Sequence, residues 1–365
     1  MIRQLKKITV RSVAAANVVV ILLMMLVGYS DRINPADCAL LSNLGLAFPA
    51  FVLANVGFLV FWLVFKVRMA LIPFLGFVVC FVPMRKYCPF NIQREIPAGS
   101  IKILSYNVWL FAGWDAKEED RNEILEYIVK TNADIVCLQE AAPNEVGQEK
   151  LDKYLNPVYS YRDTAYSSAN KQGDCIALYS KYPIVKKERV KYESVGNQTV
   201  AYFLKVGRDT VLVVNNHLET VGLSIEEKAK FKQLVKGDLN KDTAEETSKS
   251  LVLKLAESTT KRAPEADAVA KYIAEHEGMP TIVCGDFNDS PISYVHRTIA
   301  NGLTDCYIAT GNGPGISYHQ SGFFVRIDNI MCSSHYEPYK CYVDNKIDKS
   351  DHYPIICWLK RRAKP

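Results

Sequence analysis

The sequence predicts an α/β domain of about 265 residues preceded by an N-terminal membrane anchor. Three observations support this: an uneven distribution of charge, uncharged apolar runs near the N-terminus, and alternating β-rich and helical segments after residue 100. The 365-residue chain has a formal net charge of +5. Residues 1–99 carry ten Lys or Arg against three Asp or Glu, which gives +7 and leaves −2 for the remainder. We therefore assign residues 1–95 to the anchor and residues 96–365 to the α/β domain.

Three apolar segments are expected to cross the bilayer: residues 13–29, 44–65 and 69–83. The hydrocarbon core spans roughly 17–25 helical residues, so the second segment is the firmest span, and the third is short and contains Pro73. The alternative for the first segment is a cleavable signal peptide, because a basic stretch precedes it. Two more apolar segments follow it, which favours a multi-pass anchor.

The basic residues of the short loops predict on which side of the membrane the α/β domain lies. Four of them precede the first apolar segment, only Arg32 lies in the 30–43 loop, and Lys66 and Arg68 follow the second segment. Because basic loops remain in the cytoplasm, three crossings place the α/β domain on the extracytoplasmic side. Three basic residues just after the third segment oppose this orientation. If the third segment were only re-entrant, the domain would be cytoplasmic.

Seven strings after residue 100 are rich in β-branched and apolar residues and are predicted to be strands. They are IKILSYNV, DIVCLQE, CIALYS, TVLVVNNHLE, TIVCGDF, IDNIMC and YPIICWL. Helices are expected at about 118–131, 225–237, 243–256 and 263–277. A helical insertion over about 221–262 separates NNHLE from GDFND. It is either a lid over a cleft or against the membrane, or a plain peripheral helix pair.

Polar residues recur at the C-terminal ends of these strands. One such residue is more often a cap or a hydrogen-bonded core group than a catalyst, but six positions of this kind point to one site. They are Asn107, Glu140, His217 within NNHLE, Asp286 with Asn288, Asp328, and Asp351 with His352.

The motifs SYNV, LQE, NNHLE, GDFND, RIDNI and SDH, in this order, resemble the endonuclease/exonuclease/phosphatase superfamily. That superfamily includes deoxyribonuclease-type enzymes, abasic-site endonucleases, inositol-phosphate phosphatases and neutral sphingomyelinases. The resemblance covers about residues 100–360 and none of the anchor. It implies a four-layer α/β sandwich, with two packed β-sheets flanked by helices, and a metal-dependent phosphoric ester hydrolase whose site lies at one end of the sandwich.

A phosphate ester hydrolase must neutralise charge on the phosphoryl oxygens and position a water molecule in line with the scissile bond. Mg²⁺, or Mn²⁺ in its place, prefers carboxylate and amide oxygens. Glu140 and Asp351 offer carboxylates and Asn107 offers an amide on the neighbouring strand. The resemblance implies the same metal-binding roles for these three residues.

The remaining motif residues are candidates for the chemical steps. Asp286 and Asn288 lie two apart on an extended segment, so their side chains point to the same side. The resemblance makes Asp286 the general base that positions water and Asn288 a phosphate ligand. It also implies that Asp328 is the partner of His352, raising its pKa, and that His217 is a second phosphate-binding histidine.

Several other residues have no role assigned by these motifs. His276, His296, His319 and His335 are interpreted as surface or structural groups. Arg326 either supports the site beside Asp328 or is an exposed strand arginine. Trp109, Phe111 and Trp114 either wall the substrate cleft or, as we favour, pack in the core or an interface.

The sequence leaves two classes of substrate for the same chemistry, nucleic acid and a lipid-linked phosphate. Nucleases bind several phosphates with clustered basic residues, whereas this domain has a net charge of −2. An anchor with a short linker holds the domain close to the bilayer, where lipid head groups are concentrated. The sequence therefore favours a lipid-linked phosphate as substrate and the bilayer as partner, with an anchored nuclease acting on nucleic acid as the second hypothesis. A catalytically silent binding protein is the third, and no protein partner is inferred.

Overall fold

Apolar helices at the N-terminus pack together and lead into a two-sheet α/β domain in the computed structural model. The structure describes residues 2–115, 121–144, 146–168, 174–194 and 196–363. The helices are α1 (Ile2–Gly28), α2 (Pro35–Ser42), α3 (Phe48–Phe65), α4 (Leu71–Val79), α5 (Phe81–Tyr87), α6 (Glu123–Thr131), α7 (Gln148–Leu155), α8 (Ile225–Lys236), α9 (Lys241–Glu275), α10 (Tyr294–Ile299) and α11 (Cys306–Thr310). The strands are β1 (Ile101–Asn107), β2 (Ile135–Gln139), β3 (Tyr161–Tyr166), β4 (Cys175–Ser180), β5 (Ile184–Arg189), β6 (Gln198–Val206), β7 (Asp209–His217), β8 (Thr281–Asp286), β9 (Thr304–Asp305), β10 (Asp328–Cys332), β11 (Tyr336–Val343) and β12 (Ile355–Arg361).

The N-terminal helices are long and apolar enough to enter a membrane. Within the described residues, two stretches, Gln4–Arg32 and Pro35–Phe65, have the length and composition of membrane spans. The stretches Val67–Val79 and Phe81–Tyr87 meet at a bend of 65° and count as a third span only if taken as one broken helix. Membrane anchoring is therefore plausible from these helices, which lie where the sequence places the anchor.

A buried polar network joins α1, α3 and α4. Asn17 Nδ2 donates to Asn55 Oδ1 at 3.1 Å, and Trp62 Nε1 donates to Asn17 Oδ1 at 3.2 Å. Asn55 Nδ2 in turn donates to the carbonyl oxygen of Pro73 at 2.9 Å. Hydrogen bonds of this kind hold helices together in an apolar medium, where the alternative is an unsatisfied polar group. The three helices therefore form one bundle rather than independent tethers.

The α/β domain contains two mixed β-sheets within the described residues. Their strand orders are β11-β12-β1-β2-β4-β3 and β5-β6-β7-β8-β10-β9. In each sheet one central pair is parallel, β1 with β2 and β7 with β8, and the other pairs are antiparallel. Parallel neighbours end at the same edge of a sheet, so the C-terminal ends of these four strands lie together.

The two sheets pack face to face and are covered by helices on their outer faces. Side chains such as Ile103 and Val213 fill the space between the sheets. A second apolar cluster lies under α6 and α7, including Leu125 and Leu155, and a third lies under α9 and α10, including Val269. This arrangement is the four-layer α/β sandwich expected from the sequence.

The structure changes three of the predicted helices. The predicted helices 243–256 and 263–277 form one continuous helix, α9, which contains Pro264. The helix continues because buried side chains on either side of this proline, Arg262 and Glu265, bond to the backbone of Glu219. The helix expected from residue 118 begins at Glu123, where the Asn122 side chain caps it, and residues 118–120 lie outside the described residues.

Candidate active site

The polar strand ends identified in the sequence meet at one edge of the sandwich. Asn107 pairs in register with Gln139, the residue before Glu140, across β1 and β2. His217 pairs with Asp286 across β7 and β8, and Asp328 pairs with Asp286 across β10 and β8. The strand registers therefore bring residues that are up to 221 positions apart in sequence, Asn107 and Asp328, to one edge of the sandwich.

Asn107 joins the two sheets at this edge. Its Nδ2 atom donates to Glu140 Oε1 at 3.1 Å and to Asp286 Oδ2 at 3.2 Å. Its Oδ1 atom accepts a hydrogen bond from the backbone N–H of Trp109 at 3.1 Å. In this orientation Asn107 holds two carboxylates together as a donor, and presents its nitrogen rather than an oxygen ligand to the site.

Two site residues have unusual backbone conformations. Glu140 has a φ of 50° and Asn288 a φ of 51°, in the left-handed region that non-glycine residues rarely occupy. Asn tolerates this region better than Glu, so the Glu140 conformation stores strain of about 1–3 kcal/mol. Strain of this kind is retained where the surrounding structure fixes a side chain in place, as the Asn107 hydrogen bond does here.

Gly285 explains why GDFND begins with glycine. Its φ is 129°, and a Cβ atom there would collide with the backbone carbonyl of Asn216 on β7. A side chain would push β7 away from β8 and separate His217 from Asp286. Past the strand, the backbone N–H of Asn288 donates to Asp286 Oδ1 at 2.8 Å, and Asn288 Nδ2 donates to the Leu218 carbonyl at 2.9 Å.

His352 and Asp328 form a buried pair beside Asp286. His352 Nδ1 lies 2.8 Å from Asp328 Oδ2, and His352 Nε2 lies 3.6 Å from Asp286 Oδ2. Burial by itself lowers the pKa of His352, but the charges of Asp328 and Asp286 outweigh it and raise the pKa to about 10. The imidazole is therefore protonated at neutral pH and its Nε2–H is a donor facing the site.

His217 is held in the same way by a residue that the sequence analysis missed. Its Nδ1 atom lies 2.8 Å from Asp174 Oδ1, and its Nε2 atom lies 3.8 Å from both Glu140 Oε1 and Asp286 Oδ2. Burial lowers the pKa of His217, but the charge of Asp174 and its hydrogen bond raise it to about 10. The two histidines thus have the same arrangement, since Nδ1 of each ring faces a buried carboxylate.

Asp286 lies at the centre of this cluster. Burial raises its pKa to about 6, although the charges of His352 and His217 and the hydrogen bond from Asn288 N–H act in the opposite direction. A carboxylate with a pKa close to neutrality is suited to accept a proton from water near pH 7.

Asp351 and Glu140 line the mouth of a cleft of about 220 Å³ that also contains Asp286, Asn288 and His352. Asp351 is buried, and its Oδ1 atom has no hydrogen-bond partner among the described residues. Ser350 Oγ donates to the Asn107 carbonyl at 2.7 Å, which ties the SDH motif to the first strand end. A buried carboxylate oxygen without a donor, in a cleft that a second carboxylate also lines, fits a hard divalent cation.

A second group of possible ligands fits a cation less well. Atoms of Asp286, Asp328 and His352 lie within 4.8 Å of one another. Asp328 Oδ2 faces His352 Nδ1, and the other oxygen, Oδ1, is buried without a hydrogen-bond partner among the described residues. However, a protonated imidazole has no lone pair for a metal. We read this triad as a hydrogen-bonded charge network.

The long helix α9 braces the loops that follow β7 and β8. Arg262, 1% exposed, donates from Nη1 to the Glu219 carbonyl at 2.6 Å and approaches Asp289 Oδ2 with Nε at 3.5 Å. Glu265 Oε2 accepts from the Glu219 backbone N–H at 2.8 Å. The helical insertion thus contributes buried contacts to the site, besides lying beside the cleft.

Glu265→Gln is expected to remove a pH dependence of stability. Burial raises the pKa of Glu265 to about 7, although its hydrogen bonds lower it. Between its unfolded pKa of about 4.3 and pH 7 the native state binds more protons than the unfolded state, so the free energy of unfolding falls as pH rises over this window. Between pH 5 and pH 8, the free energy of unfolding of wild type should fall by about 1–3 kcal/mol more than that of the variant. Thermal unfolding at the two pH values measures this, with Glu257→Gln on the exposed face of α9 as control. An equal pH response in wild type and Glu265→Gln would contradict it.

Other residues from the sequence analysis lie as follows. Arg326 is away from the carboxylates: it is buried, donates to the carbonyls of Pro314 and Lys86, and lies over the Tyr307 ring, so it is neither a site residue nor exposed. Phe111 is in the core under α6, whereas Trp109 lines the cleft. The side chain of Trp114 lies outside the described residues.

Two family descriptions match the chain. The one described as the endonuclease/exonuclease/phosphatase family matches residues 104–352. The chain belongs to this family. Its members are metal-dependent phosphoric ester hydrolases. A second description, a domain of unknown function, matches residues 10–87.

Curated relatives of this family are distant. The chain is 24% identical to carbon catabolite repressor protein 4 homolog 1 of Arabidopsis thaliana, covering 58% of this chain and 39% of that protein. It is 22% identical to the CCR4-Not complex 3'-5'-exoribonuclease subunit Ccr4 of Mycosarcoma maydis, covering 56% of this chain and 36% of that protein. The chain thus spans about two-fifths of the length of these relatives.

A solved structure shares the fold. The human Nocturnin catalytic domain with bound sulfate aligns with a TM-score of 0.50 and 17% identity, covering 73% of this chain and 97% of that domain. At this level of identity the similarity shows the fold alone.

Proposed function

We propose that this protein is a membrane-anchored hydrolase of a lipid-linked phosphate ester that depends on Mg²⁺ or Mn²⁺. One observation carries the proposal: the cleft that contains Asp286 and His352 is walled on one side by Asn43 and Leu46, which belong to the N-terminal region. These two residues lie between the apolar helices α1 and α3. Both belong to the second stretch with the length and composition of a membrane span, Pro35–Phe65, so the substrate cleft opens beside a candidate membrane span.

The N-terminal region is packed firmly onto the α/β domain at this point. A Cβ atom on Gly45 would collide with the backbone carbonyl of Ile292, and Ile292 packs in one apolar cluster with Met24 and Phe48. Thr259 Oγ1 on α9 donates to Asn43 Oδ1 at 2.9 Å. The anchor is thus part of the cleft wall, which supports a substrate that resides in the membrane.

The cleft has a polar end and an apolar end. The polar end holds the carboxylates and His352, whereas the other walls carry Leu46, Val221, Leu223, Leu255 and Phe323. An amphiphile with a phosphate head and an apolar chain matches both ends, because apolar burial stabilises the chain by about 25 cal/mol per Å².

The proposed roles follow from the geometry of the polar end. Asp286 accepts a proton from the attacking water, and the Nε2–H groups of His217 and His352 donate to the phosphoryl oxygens. Asn288 offers the second N–H of its amide to the same phosphate, and Asn107 holds Glu140 and Asp286 in place. Glu140 and Asp351 would hold the divalent cation, which neutralises phosphoryl charge when it is bound.

We also propose that the active site is extracytoplasmic. Gly28 at the end of α1 meets Phe48 at the start of α3, and Lys86 after the third stretch pairs with Asp31, all on the side of the α/β domain. The basic N-terminus and the Lys66–Arg68 link therefore lie at the opposite end of the bundle. If these basic segments are cytoplasmic, the catalytic domain is outside.

Leu46→Ala tests the lipid-linked substrate. Loss of this apolar wall should reduce kcat/KM for a lipid-linked phosphate ester roughly tenfold relative to that for a water-soluble phosphodiester. The measurement uses the full-length chain in proteoliposomes, because the anchor lines the cleft. Leu53→Ala, on the exposed face of α3, is the matched control and should leave this ratio unchanged. An unchanged ratio for Leu46→Ala, or no lipid substrate in a broad panel, would reject the proposal.

An anchored nuclease is the second candidate, supported by the description of a relative as a 3'-5'-exoribonuclease. The same full-length protein, given single-stranded RNA at increasing salt, tests it directly. Phosphate-binding basic residues make nuclease binding steeply salt-dependent, so salt-sensitive cleavage would favour this candidate over the lipid substrate.

A further inference from the structure

The cleft contains a cation that the hydrolytic site does not use. Lys228, in the first turn of α8, lines the same cleft. Its Nζ atom lies 5.8 Å from the centre of the Tyr318 ring, and that ring contacts the His352 ring at 5.1 Å. One aromatic side chain therefore separates Lys228 from the proposed phosphate-binding histidine.

The neighbouring charges leave Lys228 without a carboxylate partner. Glu226 pairs with Lys230 at 3.0 Å, and Glu227 pairs with Lys254 at 2.6 Å while also completing the cap at Ser224. No carboxylate of the described residues lies within 4.0 Å of Lys228 Nζ. A lysine near a helix N-terminus is also disfavoured by the helix dipole, so its place is not explained by the stability of α8.

Arg262, another cationic side chain that lines the cleft, already has partners within the protein. Arg262 donates to the Glu219 carbonyl and to Thr259 Oγ1, and faces Asp289. It therefore supports the loops rather than the substrate. Lys228 is the cation that remains for an anion entering next to the scissile phosphate.

We propose that Lys228 binds a second phosphoryl group of the substrate, so that the substrate class is a lipid-linked diphosphate. This inference rests on the proposed function. Lysine binds phosphate as a point charge on a flexible stem, and such charge-assisted contacts are the stronger hydrogen bonds of a site. A diphosphate places its scissile phosphoryl group between His217 and His352 and its other phosphoryl group at Lys228, with the apolar chain along Leu223 and Leu255.

Binding of a non-hydrolysable diphosphate to the full-length protein in detergent, at fixed free Mg²⁺, tests this without catalysis. Methylenediphosphonate and methylphosphonate are the two probes, titrated by calorimetry. Lys228→Gln should weaken the binding of methylenediphosphonate roughly tenfold and that of methylphosphonate little. Lys228→Arg should retain most of the preference for methylenediphosphonate over methylphosphonate. Lys236→Gln, exposed two turns along α8, is the matched control and should change neither affinity.

The outcomes separate this inference from the proposed function. An equal effect of Lys228→Gln on the two probes, no effect on either, or no binding of methylenediphosphonate by wild type would overturn the role of Lys228. If the diphosphate preference is found but no lipid-linked ester is hydrolysed, the lipid substrate fails and the anion site stands. If a lipid monophosphate is hydrolysed but no preference for a diphosphate is found, the lipid substrate stands and the anion site at Lys228 fails.

Discussion

Asp286→Asn is expected to lower kcat for phosphate ester hydrolysis by about 10²–10⁴ while leaving the fold intact. The buried carboxylate is the group that accepts a proton at the centre of the cluster, and asparagine has the same shape without a basic site. Its oxygen can still accept the Asn288 backbone N–H that Asp286 Oδ1 accepts at 2.8 Å. The amide nitrogen replaces Oδ2, which accepts from Asn107 Nδ2 at 3.2 Å, so a loss of thermal stability accompanies the substitution. The catalytic loss is therefore measured as kcat of the folded full-length protein at saturating substrate.

Asp305→Asn is the matched control for this substitution. Asp305 is also buried and also faces a histidine, His296 Nε2 at 2.8 Å, but the pair lies away from the cleft. Its carboxylate caps α11 by accepting the Ile308 N–H, so Asp305→Asn should lower the melting temperature and leave kcat of the folded enzyme unchanged. Equal kcat losses in the two variants would mean that Asp286 acts through stability alone.

The sequence predicts the active-site cluster because strand ends carry the signal. Asn107, Glu140, His217 and Asp286 follow apolar strings, and parallel pairing brings such ends to one edge. Asp174 has no such signal: it precedes β4, and only the antiparallel pairing of β4 with β2 places the start of β4 at the same edge. A rule that reads strand ends misses a residue at a strand start.

The same limit applies to the helices and the anchor. The sequence predicts a break between residues 256 and 263, but α9 is continuous there, and Arg262 and Glu265 contact a distant loop that no local pattern records. The placement of Asn43 and Leu46 in the cleft depends on the fit of Gly45 against Ile292. Hydropathy identifies a span by composition and says nothing about which face of a distant domain its loops meet.

Glu140→Gln should weaken divalent-cation binding and reduce kcat/KM by about 10³, a loss of transition-state stabilisation of about 4 kcal/mol. The substitution removes one negative charge from the cleft that Asp351 also lines but keeps an oxygen at Oε1, to which Asn107 Nδ2 donates at 3.1 Å. The strained backbone at Glu140 is kept as well, so the loss reports charge rather than position. Calorimetric titration of Mn²⁺ into the full-length protein measures affinity directly, with Glu126→Gln on α6, which pairs with Arg121, as the control.

The pH dependence of Mn²⁺ affinity distinguishes Glu140 and Asp351 from the Asp286, Asp328 and His352 triad. A cation on the triad must displace the proton of an imidazole whose pKa is about 10, so binding there would release a proton and strengthen steeply between pH 7 and pH 9. A cation held by Glu140 and Asp351 leaves that proton in place, and its affinity should change little. The two arrangements also exclude each other chemically, since a metal-bound His352 cannot donate to a phosphoryl oxygen. Retained affinity in Glu140→Gln together with loss in Asp328→Asn would therefore reject both the metal site and the role of His352.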